Sequence, residues 1–128
     1  MTAPSSNEWY TPADVIEAAR RTMGFIDLDP FSCSQANTVV QAARFYSKDE
    51  CAFEHPWSGN IWMNPPYSRG LIDRAVDCFG DHLMAGEIPF AITLTPLSDA
   101  AWYHQLLDFA SAICLLRGRL KHWGPLCK

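Results

Sequence analysis

The sequence predicts an α/β fold in which helices cover both faces of a mostly parallel sheet. Amphipathic helical patterns alternate with short, nearly continuous apolar runs along the 128 residues, and such runs are typical of strands buried on both faces. The hydrophobic fraction of 48% supplies the core that this fold needs. Because 128 residues suit a single domain, we expect one domain over residues 8–128, preceded by a flexible polar tail over residues 1–7.

The first predicted helix has clear start and stop signals. Thr11 suits the N-cap, Pro12 the first helical position and Asp14 the first turn, where acidic side chains are favourable. Gly24 predicts the end of this helix, since glycine readily adopts the backbone conformation that follows a helix.

Shorter elements follow up to the middle of the chain. Residues 25–29 predict a strand that stops at Pro30, and a second helix covers about residues 35–44. The stretch 45–59 mixes charged and aromatic side chains and predicts one or two short strands.

The second half of the chain repeats the alternation more clearly. Apolar runs predict strands over residues 60–63, 89–95 and 112–116. Amphipathic patterns predict helices over about residues 68–84 and 99–109.

Two predicted strands end in unusual loops, at residues 27–32 and 63–67. The carboxyl ends of parallel strands lie at one edge of the sheet, where ligands bind in such folds. We therefore expect both loops to line one site.

The loop Asn64-Pro65-Pro66-Tyr67, the Asn-Pro-Pro-Tyr loop, suits chemistry on a planar amino group. Two prolines stiffen the chain and remove two backbone donors, so the loop presents acceptors: the Asn64 side-chain oxygen and the Pro65 carbonyl. Each can accept one N–H of a ring-attached amine, while Tyr67 offers a flat face for stacking. The alternative interpretation is an ordinary turn between a strand and a helix.

Other classes of protein have little support. The residues form no Ser-His-Asp arrangement, no glycine-rich phosphate loop and no His/Cys cluster with metal-ligand spacing, so we expect no metal. A formal net charge of −4 argues against tight autonomous binding of nucleic acid, although basic residues gather near the C-terminus: Arg117, Arg119, Lys121 and Lys128.

In order and spacing, the motifs resemble the phage and prophage DNA N6-adenine methyltransferase (Dam) family, within the SAM-dependent amino-methyltransferases. The resemblance covers about residues 8–120. It rests on residues 8–12, 26–30, 36–37, 57–59, 64–68 and 117–119.

The resemblance implies a Rossmann-like SAM-methyltransferase three-layer sandwich, with S-adenosyl-L-methionine (SAM) as cofactor and DNA as partner. The catalytic residues would be Asn64, Pro65, Pro66 and Tyr67. The cofactor-binding residues would be Tyr10, Thr11, Pro12, Asp29, Pro30, Phe31 and Ser32, with Asp29 accepting from the SAM ammonium group.

The chain departs from the family pattern at two places. The SAM loop usually carries Gly-x-Gly, whereas this chain has Ser32-Cys33-Ser34-Gln35. Members also usually continue past Arg117-Gly118-Arg119 into another strand, whereas residues 123–125 here predict a turn. Truncation at the C-terminal strand is therefore an open alternative.

Three functions are consistent with these motifs. The first is methylation of adenine N6 in DNA. The second is the same chemistry on another acceptor: cytosine N4, rRNA guanine N2 or a protein glutamine. The third is an inactive, truncated SAM-binding remnant. Because the polar N-terminus lacks an apolar leader and no apolar run is long enough to span a bilayer, we expect a cytoplasmic protein of a bacterial host, not a membrane protein.

Overall fold

The computed structural model describes residues 10–68, 70–118 and 120. Its sheet has four parallel strands in the order β2-β1-β3-β4, which confirms the predicted α/β class. The strands are β1 (Leu28–Asp29), β2 (Arg44–Phe45), β3 (Ile61–Met63) and β4 (Ala91–Thr93).

The described residues also form four α-helices. They are α1 (Ala13–Met23), α2 (Ser34–Val40), α3 (Leu71–Met84) and α4 (Ala101–Phe109), and a short 3-10 helix covers Ala52–Glu54. No helix among the described residues is long and apolar enough to cross a membrane.

Two separate hydrophobic clusters make the molecule three-layered. Successive side chains of a strand point to opposite faces, and β3 shows this directly. Ile61 and Met63 pack in a cluster with α3 and α4, whereas Trp62 packs in a cluster with α1 and α2. The central strand β3 is buried throughout, as the apolar run predicted.

Asp27, Gly59 and Asn60 join the amino ends of β1 and β3. The Asn60 N–H donates to Asp27 Oδ2 at 2.7 Å, and Asn60 Nδ2 reaches the carbonyls of Met23 and Phe25. Gly59 has φ +85°, and a Cβ there would lie 2.7 Å from Asp27 Cβ. Only glycine therefore fits this corner without displacing the carboxylate that fixes the two strands.

The predicted N-cap role of Thr11 is wrong. Helix α1 begins at Ala13 after Pro12, whose carbonyl accepts from Val15 and Ile16. The Thr11 hydroxyl instead accepts from the Asn64 side chain, far away in sequence. The predicted end at Gly24 is confirmed: its φ is +88° and its N–H donates to the Arg20 carbonyl.

Most of the other elements exist but are shorter than predicted. Helix α2 ends at Val40 because Gln41 adopts a left-handed conformation, and Asn37 pairs reciprocally with the Ala42 backbone. The strand expected over 25–29 is reduced to Leu28–Asp29, and that over 89–95 to Ala91–Thr93.

The strand predicted over residues 112–116 is wrong for the described structure. This segment has no regular structure, and Ile113, Leu115 and Leu116 are exposed. Its apolar composition matches a buried strand, but no neighbouring strand is hydrogen-bonded to it among the described residues.

Several expectations lie outside the described residues. These are the flexible tail over residues 1–7, Arg119 of the Arg-Gly-Arg element, the basic residues Lys121 and Lys128, and the turn over residues 123–125.

Candidate active site

The Asn-Pro-Pro-Tyr loop follows directly from the buried strand β3, so it lies at the carboxyl edge of the sheet. Asn64 is only 4% exposed, and Pro65 and Pro66 are buried beside it. Tyr67 is half-buried and packs against the cluster beneath α3 and α4. Burial and two prolines hold the polar groups of this loop in place.

Asn64 is fixed at both ends of its amide. Its Nδ2 donates to Thr11 Oγ1 at 2.8 Å, and its Oδ1 accepts from the Tyr67 hydroxyl at 2.7 Å. A buried amide with both polar ends bonded has little freedom to rotate. The arrangement therefore holds a carbonyl oxygen in a defined direction.

The Tyr67 hydroxyl has a second acceptor within reach. The Leu94 carbonyl, just beyond β4, lies 3.4 Å from it. Burial raises the pKa of Tyr67 to about 12, because an apolar environment disfavours the phenolate. At neutral pH Tyr67 is therefore a hydrogen-bond donor and not a base.

The Pro65 carbonyl accepts no hydrogen bond from any donor in the described part of the chain. Proline supplies no N–H of its own, so this short stretch is rich in acceptors and poor in donors. Such a stretch suits a ligand that brings N–H donors.

The second predicted loop follows β1, the strand paired with β3. Asp29 is 3% exposed, and its carboxylate accepts from the Phe31 N–H at 3.2 Å. Pro30 and Ser32 are also buried, whereas the half-buried Phe31 ring lies 5.7 Å from the Trp57 ring. The loop is thus fixed by burial on one side and by aromatic contacts on the other.

This loop needs no glycine for its backbone. Among the described non-glycine residues only Gln41 has a positive φ, so every residue from Pro30 to Gln35 adopts a conformation open to L-residues. Cys33 is extended, and its sulfur accepts from the Ala36 N–H to cap α2. The absence of Gly-x-Gly therefore causes no backbone strain here.

The segment Tyr10-Thr11-Pro12 connects the two loops. The Tyr10 hydroxyl lies 3.4 Å from Cys33 Sγ and 3.5 Å from Gln35 Oε1, beyond the loop that follows β1. Thr11 bonds Asn64 of the other loop. Tyr10 is buried, which raises its pKa. The three motifs found in the sequence thus meet at one edge of the sheet.

A groove of about 400 Å³ opens beside this edge, between the start of α2 and the segment after β2. Its lining mixes a cysteine sulfur with hydroxyl, amide, aromatic and charged groups. It consists of Cys33, Ser34, Gln35, Phe45, Ser47, Lys48, Asp49 and Glu50.

Sequence reasoning identified only part of this groove. The family resemblance placed Cys33, Ser34 and Gln35 in the counterpart of the SAM loop, whereas Asp49 and Glu50 of the groove are exposed acidic residues after β2. Phe45 and Lys48 were missed as lining. The signal was weak, because β2 has only two residues and gives no periodic pattern.

The described residues contain no group of three His, Cys, Asp or Glu side chains that could hold a metal ion.

A family model described as DNA N-6-adenine-methyltransferase (Dam) matches residues 1–123. Comparison with curated proteins and with solved structures finds no match. The family match spans nearly the whole chain, including the three motifs that meet at the carboxyl edge of the sheet. The chain therefore belongs to the Dam family of DNA N-6-adenine methyltransferases.

Proposed function

We propose that this protein is a SAM-dependent methyltransferase that transfers a methyl group to adenine N6 in DNA. One observation supports this most strongly: the buried Asn64 amide is held by hydrogen bonds beside the Pro65 carbonyl. The order of the motifs further supports a phage or prophage origin, and action on DNA in the cytoplasm of a bacterial host.

The residues beside the groove fit SAM. Asp29 is a buried carboxylate at the end of β1, suited to a charge-assisted hydrogen bond with the SAM ammonium group. Phe45 offers a ring face, and Asp49 and Glu50 offer acceptors for ribose hydroxyls. Bound SAM supplies an electrophilic methyl group carried on a sulfonium.

The Asn-Pro-Pro-Tyr loop acts on the methyl acceptor. An exocyclic amine is a poor nucleophile because its lone pair is delocalised into the ring. Asn64 Oδ1 and the Pro65 carbonyl each accept one N–H, which favours a tetrahedral nitrogen with a localised lone pair. Fixed dipoles of this kind stabilise a developing geometry without reorganisation.

Tyr67 has two parts in this scheme. Its ring gives a face on which a base flipped out of the duplex stacks. When the amine donates to Asn64 Oδ1, the Tyr67 hydroxyl can donate to the nearby Leu94 carbonyl. No residue acts as a strong base, because the nitrogen becomes acidic only after it has gained the methyl group, and its proton then passes to solvent.

To identify the methyl acceptor, the purified protein is incubated with SAM and unmethylated DNA, and the nucleosides are then analysed by mass spectrometry. We expect N6-methyladenine. N4-methylcytosine as the sole product would contradict the proposed acceptor, and unmodified DNA despite measurable SAM binding would contradict the proposed activity.

A further inference from the structure

The hydrogen bond between Thr11 and Asn64 joins two motifs that are 53 residues apart. Thr11 is 7% exposed and Asn64 is 4% exposed, so this bond is shielded from water. The bond satisfies two buried polar groups and joins the segment before α1 to the loop after β3.

The bond to Thr11 matters because the two ends of the Asn64 amide differ. Asn64 can accept an amine N–H only through Oδ1, and a rotation of the amide by half a turn would present Nδ2, a donor, instead. The two orientations are nearly equal in shape, so only hydrogen-bond partners decide between them.

Two partners among the described residues, Tyr67 and Thr11, fit the same orientation. A phenol is a good donor and a poor acceptor, so Tyr67 prefers the oxygen of the amide. An aliphatic hydroxyl can accept as well as donate, so Thr11 can accept from the amide nitrogen when Tyr67 bonds the oxygen. The observed contacts of 2.8 Å to Thr11 and 2.7 Å to Tyr67 match these preferences.

We propose that Thr11 is a positioning residue that sets the orientation of the Asn64 amide, so that Oδ1 faces the methyl acceptor. The inference rests on the proposed function and assigns the Thr11 hydroxyl to positioning Asn64 in place of contact with the cofactor. It predicts that losing the Thr11 hydroxyl affects the methyl-transfer step and leaves cofactor affinity unchanged.

The test compares Thr11→Val, which keeps the shape and loses the acceptor, with Thr11→Ser, which keeps the hydroxyl. We expect Thr11→Val to lower kcat about tenfold, the equivalent of one lost hydrogen bond, with the SAM Kd and the DNA KM within twofold of their original values. Thr11→Ser should recover most of the loss. A rise in the SAM Kd with unchanged kcat would overturn the proposal in favour of direct cofactor binding.

The same Thr11 substitution made in an Asn64→Asp variant separates a positioning role from a structural role. Asn64→Asp gives a carboxylate, whose two oxygens are equivalent acceptors and need no orienting partner. Adding Thr11→Val to Asn64→Asp should therefore lower kcat by less than about twofold. An equal loss in both backgrounds would show a structural effect and overturn the proposal.

A measurement independent of activity completes the test. The side-chain amide protons of Asn64, assigned by their absence in Asn64→Asp, should exchange with solvent at least about tenfold faster in Thr11→Val. Unchanged exchange would overturn the proposal. If the unmodified protein methylates no DNA, the proposed function fails, and amide exchange alone decides whether Thr11 orients Asn64.

Discussion

At the scale of single residues, the site depends on which atoms of Asn64 and Tyr67 are donors and which are acceptors. Sequence reasoning identified both residues, because consecutive prolines after an apolar strand make an acceptor-rich loop. It could not find the hydrogen bond from Asn64 to Thr11, since that bond depends on tertiary structure and the residues are far apart in the chain. Local signals instead favoured Thr11 as an N-cap.

Tyr67 gives a prediction about pH at this scale. Its pKa is raised to about 12 in the folded protein by burial, against about 10 in an unfolded chain. The neutral phenol therefore stabilises the folded state fully below pH 10, and this contribution is lost as the pH rises towards 12. We expect the free energy of unfolding to fall by up to about 2 kcal/mol more in the original protein than in Tyr67→Phe between these pH values.

Urea titrations of both proteins at pH 8, 10 and 11.5 would measure this difference. Comparison with Tyr67→Phe cancels the contributions of the other tyrosines, including Tyr10 and Tyr46, whose pKa values are also raised by burial. Identical pH profiles for the two proteins would contradict a buried, protonated Tyr67.

At the scale of elements, the hydrophobic pattern of the sequence predicted the order of helices and strands better than their lengths. Helix α3 and strand β3 lie close to their predicted bounds, since each has a long or fully buried apolar pattern. Strands β1 and β2 have two residues each, too few for a period to be seen. The apolar run over 112–116 shows the converse: strand-like composition does not make a strand without a hydrogen-bonding neighbour.

The contact between β1 and β3 gives a second prediction, with a matched control. Gly59 and Gly24 have φ values of +85° and +88°, but only Gly59 has Asp27 where a Cβ would lie; Gly24 has open space. Gly24→Ala should cost about 1 kcal/mol of folding free energy, because of its backbone conformation alone. Gly59→Ala should cost about 2 kcal/mol more, because it also displaces the carboxylate that bonds Asn60.

Urea denaturation of the two variants measures both costs under the same conditions. Equal losses of stability would contradict the role assigned to Asp27 in joining the amino ends of β1 and β3.

At the scale of the whole molecule, the fold brings three separate segments to one edge of the sheet. Parallel pairing of β1 with β3 places the loop that begins at Asp29 beside the Asn-Pro-Pro-Tyr loop. The segment before α1 contacts residues in or next to both. The sequence could predict that the two loops meet, because parallel strands share a carboxyl edge. It could not predict the groove after β2, which depends on how α2 and the segment 45–50 pack.

The central claim is that Asn64 acts on the methyl acceptor and not on the cofactor. The most direct measurement is single-turnover methyl transfer to unmethylated DNA by the original protein and by Asn64→Ala, at SAM concentrations that saturate each protein in calorimetry. We predict that Asn64→Ala binds SAM with unchanged affinity and transfers methyl groups at least about a hundredfold more slowly, as expected when a preorganised acceptor is removed from the reacting group. Methyl transfer at the original rate by Asn64→Ala would contradict the account.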